Sequence, residues 1–241
     1  MKKQLFLMAV LAMLCSAAGA QTDYLQFGVL NITPKIDKVD LFKKGILAHN
    51  KKYHAAAPYK ANVAAIITGP NSGDFVWVMG PTTWTQLDGA PGEGEHNLDW
   101  DKNVTPYCES IGEYSYWRDY KDARYDAEGS ATFKKSSMRA NRVYPGQMDR
   151  YLEQMKKVAE VYKKKKYTGS FSVATIVGAT TGINAVSFSS FAKWSWFDRG
   201  TVFSKDFEEV HGAGTWVRFL EEIDLCVDPS STYTELSESI E

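Results

Sequence analysis

Two stretches of the chain place apolar side chains every three or four residues, the rhythm of one helix face. Val39, Phe42, Ile46, His49 and Tyr53 mark a helix from Val39 to His54, with Asp37 placed to cap it. Met148, Tyr151, Met155, Val158 and Tyr162 mark a second from Met148 to Lys165. Around them lie short runs rich in β-branched and aromatic residues, which predict strands. These are Tyr24–Ile32, Ala61–Thr68 and Phe75–Met79 in the first part of the chain. Ala131–Tyr144, Ser170–Val177, Ile183–Ser189 and Tyr233–Ile240 follow in the second. Gly69–Gly73 and Gly178–Gly182 read as hairpin turns. Trp84 falls on a short helical turn, and Phe191–Phe197 on another. A longer helix is expected from about Asp99 to Tyr120, restarting near Pro106, and one more from Ser204 to Leu225.

The pattern repeats. A shift of 109 residues carries Tyr24 onto Phe133, Val29 onto Met138, Phe42 onto Tyr151, Tyr53 onto Tyr162 and Ala65 onto Ala174. Trp84 meets Trp194 after a slip of one residue. A period of this length is a small domain, so the pattern predicts two similar units in tandem, residues 21–130 and 131–241. Each reads strand, helix, strand, strand, helix, strand, the ferredoxin-like βαββαβ order. Such a sheet carries helices on one face and must cover the other. The strand Ser170–Val177 has no frankly polar face, which suits burial on both sides. The expected fold class is therefore α+β, with the two units packed sheet to sheet as a single-chain α+β barrel.

Residues 1–20 are set apart. Lys2 and Lys3, the apolar run Gln4–Cys15 and Ala18-Gly19-Ala20 have the form of a cleaved export signal. Cleavage after Ala20 would place the mature protein in the periplasm or outside the cell. The 28 basic and 29 acidic residues nearly cancel, and loss of the two leader lysines takes the formal charge from −1 to −3. That balance offers no footprint for nucleic acid. The basic run Lys163–Lys166 sits at a helix end, where cations complement the dipole. No segment of the mature chain is apolar enough to span a bilayer. Cys108 and Cys226 remain after cleavage, either as a bridge or as two buried thiols.

The strand leading into Pro145-Gly146, the amphipathic helix, the hairpin and Phe191-x-x-Trp194 resemble the dimeric α+β barrel superfamily. That group includes antibiotic-biosynthesis-type monooxygenases, EthD-like and NIPSNAP-like proteins. Phe75-Val76-Trp77-Val78 followed by Thr83-Trp84 is a weaker copy in the first unit. The resemblance implies a covalent pseudo-dimer closing one barrel, with cofactor-independent oxidation or haem handling as its chemistry. The first unit departs from the pattern at Asp88–Glu95 and around Trp117–Gly129.

Several signatures are absent: GxSxG, a P-loop, GxGxxG after a strand, HExxH and CxxC. Of four histidines, His49 lies on the apolar stripe, where it is a core residue with a partner, a general base or a haem ligand. His54, five residues on, would point about 140° away around an undistorted helix, so the pair is not expected to share a metal. His96 and His211 read as surface residues. Trp84 and Trp194 occupy equivalent places, and Tyr114, Tyr116, Trp117 and Tyr120 cluster in the first unit. The ligand-lining candidates are thus His49, Trp84, Tyr114, Trp117 and Trp194. No catalytic residue, metal set or cofactor is assigned. The expected partner is a small apolar or aromatic ligand. A non-catalytic exported interaction or stress protein is the alternative, and polysaccharide binding a third reading.

Overall fold

The computed structural model describes residues 24–178, 182–199 and 202–241. The expected leader and its cleavage point, and the tip of the second hairpin, lie outside the described residues. Among the described residues, nine strands form one antiparallel sheet: β1 Leu25–Pro34, β2 Ala61–Ile66, β3 Phe75–Thr82, β4 Cys108–Ile111, β5 Ser115–Asp119, β6 Lys135–Val143, β7 Ser170–Ile176, β8 Ala185–Phe191 and β9 Val227–Ser239. Their order is β3-β2-β9-β6-β8-β7-β5-β1-β4, and β1 also pairs with β3. That last pairing closes eight strands into a barrel and leaves β4 as an outer edge on β1. Sheet-to-sheet stacking is the expectation from sequence; the structure closes one continuous sheet by edge pairing. The strands of the two chain halves meet along hydrogen-bonded seams, β2 with β9 and β5 with β7. Closure satisfies the edge N–H and C=O groups that stacking alone would leave bare.

Helices α1 Val39–Tyr53, α2 Trp84–Leu87 and α3 Glu95–Asn103 accompany the first strands, and α4 Met148–Lys165, α5 Val202–His211 and α6 Thr215–Cys226 the later ones. Ile32, Phe42, Ile46, Val63, Phe75 and Trp77 form a core under α1 and α3. Tyr151, Val161, Val173, Phe207 and Cys226 form another under α4, α5 and α6. The barrel interior carries a third and smaller cluster of Ala140, Ala174 and Val186, against which Trp117, Met138, Phe188 and Tyr233 pack. The two helical stripes read from the sequence are the faces that fill the two larger cores. Among the described residues no helix is long and apolar enough to cross a membrane.

Five expectations need correction. The helix expected over Asp99–Tyr120 stops at Asn103; a 3-10 turn, Thr105–Tyr107, and strands β4 and β5 follow. Pro106 ends the helical path, and Ser115, Trp117 and Asp119 alternate with Tyr116 and Arg118 at period two to build a barrel strand. The single helix over Ser204–Leu225 is two, broken where Gly212 and Gly214 take φ of 104° and 75°. Phe191 belongs to β8 rather than to the short helix, which is a 3-10 turn over Trp194–Arg199. The long strand expected from Ala131 begins at Lys135, and β9 begins earlier than Tyr233, at Val227. Cys108 and Cys226 are both buried and unbridged.

Candidate functional site

The site grows from the end of α1. His49 sits on the buried stripe of that helix. The helix ends at Tyr53, and His54 lies one residue past it with φ −128° and ψ 31°, its N–H still bonded to Asn50 O. That departure from helical ψ overturns the divergence expected of a continuous helix, and the His54 ring turns in beside His49, centroids 5.4 Å apart. The third ring comes from α3. Gly45, one turn before His49, lets the end of α3 approach so closely that a Cβ there would lie 1.8 Å from Asn103 O. This contact seats His96, Asp99 and Trp100 against α1. His96, expected at the surface, is half-buried.

Three imidazoles therefore converge. His96 Nε2 lies 3.2 Å from His49 Nε2 and 3.1 Å from His54 Nε2. The opposite nitrogens are each engaged by oxygen: His49 Nδ1 with Asp99 Oδ2 at 2.8 Å, His54 Nδ1 with Tyr59 O at 3.0 Å, His96 Nδ1 with Asn97 Oδ1 at 3.0 Å. Behind them, Asn103 Nδ2 donates to Asp99 Oδ1, and Trp77 Nε1 donates to Asn50 Oδ1, both within 2.9 Å. Burial pushes the His54 pKa down to about 4. It lowers His49 as well, although the Asp99 hydrogen bond pulls the other way. Asp99 is held below the usual carboxylate range by its bond to His49. Near neutral pH, His49 and His54 are thus uncharged and Asp99 is ionised.

The imidazoles form one wall of an open cavity of about 330 Å³. Trp77, Trp100, Tyr114 and Tyr116 supply flat faces, and Leu30 and Met79 an apolar floor. No aspartate, glutamate, lysine or arginine lines it among the described residues. Such a pocket suits an uncharged ligand with aromatic character, oriented by a few polar atoms.

Of the residues singled out from sequence, His49 and Tyr114 meet here. Trp84 stands outside the lining, edge-on to Tyr116 at 4.9 Å. Trp117 is on the opposite face of the sheet, inside the barrel. Trp194 packs on Phe191 at 5.5 Å, in the other half. Tyr116, from the same tyrosine cluster, joins His49 and Tyr114, and the structure adds His54, His96, Asp99, Trp77 and Trp100. Pro58, four residues after His54, was the readable sign that the helix ends near Tyr53. A second cavity of about 580 Å³, lined by Tyr162, Tyr167, Phe203 and Asp206, contains no histidine among the described residues.

The haem ligand role raised for His49 does not fit. A single axial histidine can hold haem iron, but the flat ring must then lie directly against that imidazole nitrogen. Nitrogens 3.1–3.2 Å apart, converging from one side, leave no plane for that ring between them.

No protein-family model and no curated protein matches the chain. Solved structures do. A candidate monooxygenase from Lactobacillus acidophilus superposes with a TM-score of 0.60 at 12% identity, covering 90% of this chain and 94% of its own. An anthrone oxidase-like protein gives 0.56 at 13% identity, covering 92% and 93%. Chlorite dismutase from Candidatus Nitrospira defluvii gives 0.51 at 7%, covering 90% and 92%. At these identities the likeness shows the α+β barrel fold.

Proposed function

We propose that this chain is an exported α+β barrel protein that binds and transforms a small, uncharged aromatic molecule in the cavity beside His49. The observation that carries the reading is the convergence of His49 and Tyr114 on one open pocket with Trp77 and Trp100. A packed-solid arrangement would have favoured a non-catalytic role. The pocket supplies stacking faces for binding and, on one wall, imidazoles held in place by fixed partners. Similar folds described as a candidate monooxygenase and an anthrone oxidase-like protein support oxidation of an aromatic substrate as the reaction class.

The strand orders β5-β1-β3-β2 and β9-β6-β8-β7 match one another, and α1 and α4 each follow the first strand of their set. This supports reading residues 21–130 and 131–241 as copies of one ferredoxin-like unit, fused as a pseudo-dimer. In that reading one copy has kept a histidine-bearing pocket. Export is supported by the leader-like first 20 residues; N-terminal sequencing of protein from the periplasm or medium should begin at Gln21.

The functional test is a thermal-shift screen of phenols, naphthols and quinones, with chelator present. A ligand at 100 times its Kd stabilises the native state by about 2.7 kcal/mol. Trp100→Ala should abolish the shift, and Trp194→Ala should retain it. No stabilisation by any member, or a shift indifferent to Trp100→Ala, would overturn the assignment.

A further inference from the structure

The three imidazoles present a chemical problem that the pocket reading does not address. The Asp99 carboxylate and the Tyr59 carbonyl can only accept hydrogen bonds. His49 and His54 must therefore carry their protons on Nδ1, which leaves bare lone pairs on both Nε2 atoms. Each of those atoms faces His96 Nε2, at 3.2 and 3.1 Å. If His96 donates its own proton along one contact, the other remains a meeting of two lone pairs. With Nδ1 of His96 protonated toward Asn97 Oδ1, both do. Buried lone pairs aimed at one another are repulsive unless something positive sits between them.

We propose that His49, His54 and His96 bind a single divalent transition-metal ion through their Nε2 atoms. Imidazole nitrogens ligate zinc-like ions at about 2.0–2.1 Å, and at octahedral to tetrahedral angles two such nitrogens stand roughly 2.9–3.4 Å apart. Two of the three separations, 3.1 and 3.2 Å to His96, fall within that span, and the third pair is gathered within 4.8 Å. The second layer also has the form a metal site requires. A ligating histidine keeps its outer N–H on a carboxylate or carbonyl, which fixes the ring and raises its basicity. Asp99 does this for His49 and Tyr59 O for His54. Asp99 is a positioning residue, since it touches the ion only through His49.

Three imidazole nitrogens suit zinc, copper, nickel or iron(II). They also leave at least one coordination position open. The ligating residues are themselves the wall of the aromatic cavity, so that position faces Trp77, Trp100 and Tyr114. An oxygen or nitrogen atom of the bound molecule, or a water, would take it. Among the described residues this is the one cluster of three histidine, cysteine or acidic side chains placed to share an ion.

The experiment is a titration of chelator-stripped protein with Co²⁺, read by visible absorption, and with Zn²⁺, read by calorimetry. Wild type should take up one ion per chain, with Co²⁺ bands that saturate at that ratio. His49→Ala, His54→Ala and His96→Ala should each weaken uptake by at least about 100-fold. Asp99→Asn should weaken it by roughly 10- to 100-fold while keeping the shape of the spectrum. His211→Ala, remote from the cluster and bonded to Lys157 O, should bind as wild type does. The half-exposed position of His96 makes His96→Ala the variant that folds most readily, checked by its melting curve. Absence of stoichiometric uptake by wild type, uptake that survives His96→Ala, or uptake lost with His211→Ala would each overturn the proposal. The aromatic-ligand screen is run with chelator, so failure of the metal site and failure of the pocket are read separately.

Discussion

Replacing Gly45 by alanine sets two physical effects against each other with opposite signs. Alanine in a helix interior is favoured over glycine by about 1 kcal/mol from propensity alone. In this chain the added Cβ would lie 1.8 Å from Asn103 O and 3.0 Å from Asn103 C, where ordinary contact begins at 3.4 Å. The obstacle is backbone, so it cannot swing aside as a flexible side chain would. The end of α3 must retreat by about 1.5 Å. Overpacking of this kind costs roughly 1–3 kcal/mol, and a backbone obstacle puts it at the upper end. The net expectation is a loss of about 2 kcal/mol, which in a chain of this size lowers Tm by roughly 4–8 °C. Because α3 carries His96 and Asp99, the same retreat pulls both away from His49 and should weaken metal uptake. Urea denaturation of Gly45→Ala, beside the exposed neighbour Lys44→Ala as control, measures the first effect; a Co²⁺ titration measures the second. A Gly45→Ala protein as stable as wild type, or more so, would mean that the helices are not packed as described and would refute the reasoning.

Other perturbations carry their own signs. His54 has a folded pKa near 4 against an ordinary 6.5, so the unfolded chain binds more protons between those values. In chelator, stability should be full above about pH 6.5 and fall as pH drops toward 4, by of order 3 kcal/mol at most; urea midpoints of wild type and His54→Asn across that range check it, the variant showing a flatter profile. Asn50→Ala strands the buried Trp77 N–H and should cost about 1–3 kcal/mol, seen in denaturation together with a shift in tryptophan emission. Phe42→Ala, fully buried between α1 and the sheet, should cost about 3–5 kcal/mol by denaturation.

The sequence made the frame of this molecule readable because its signals are local. The stripes of Val39 to Tyr53 and Met148 to Tyr162 became the two long helices, and the hairpins at Gly69 and Gly178 fell between the strand pairs expected. What escaped depended on interruption or on distance. Ser115–Asp119 is too short to announce itself as a strand, and the aromatic residues around it mimic a buried helix face. Two glycines split the final helical stretch, where the apolar pattern runs on without a gap. The site was half legible: His49 and Tyr114 could be singled out as an odd polar residue and an unmatched aromatic. His54 was set aside because its direction was computed from an unbroken helix, and the helix ends one residue before it. His96 lies 42 residues beyond His54, and only the close approach allowed by Gly45 brings it home. Trp117 shows the converse. It neighbours Tyr116 in sequence, yet strand alternation puts it on the far side of the sheet.

The central claim, that three imidazoles of the first half meet at one ion facing an aromatic pocket, is tested most directly by diffraction. Crystals grown with Zn²⁺ and measured on either side of its absorption edge locate the ion without reference to any assay. The account predicts a single anomalous peak about 2.0–2.1 Å from Nε2 of His49, His54 and His96, with the outer nitrogen of His49 still bonded to Asp99. A peak at other residues, or clear density for the three rings with no peak between them, would contradict it.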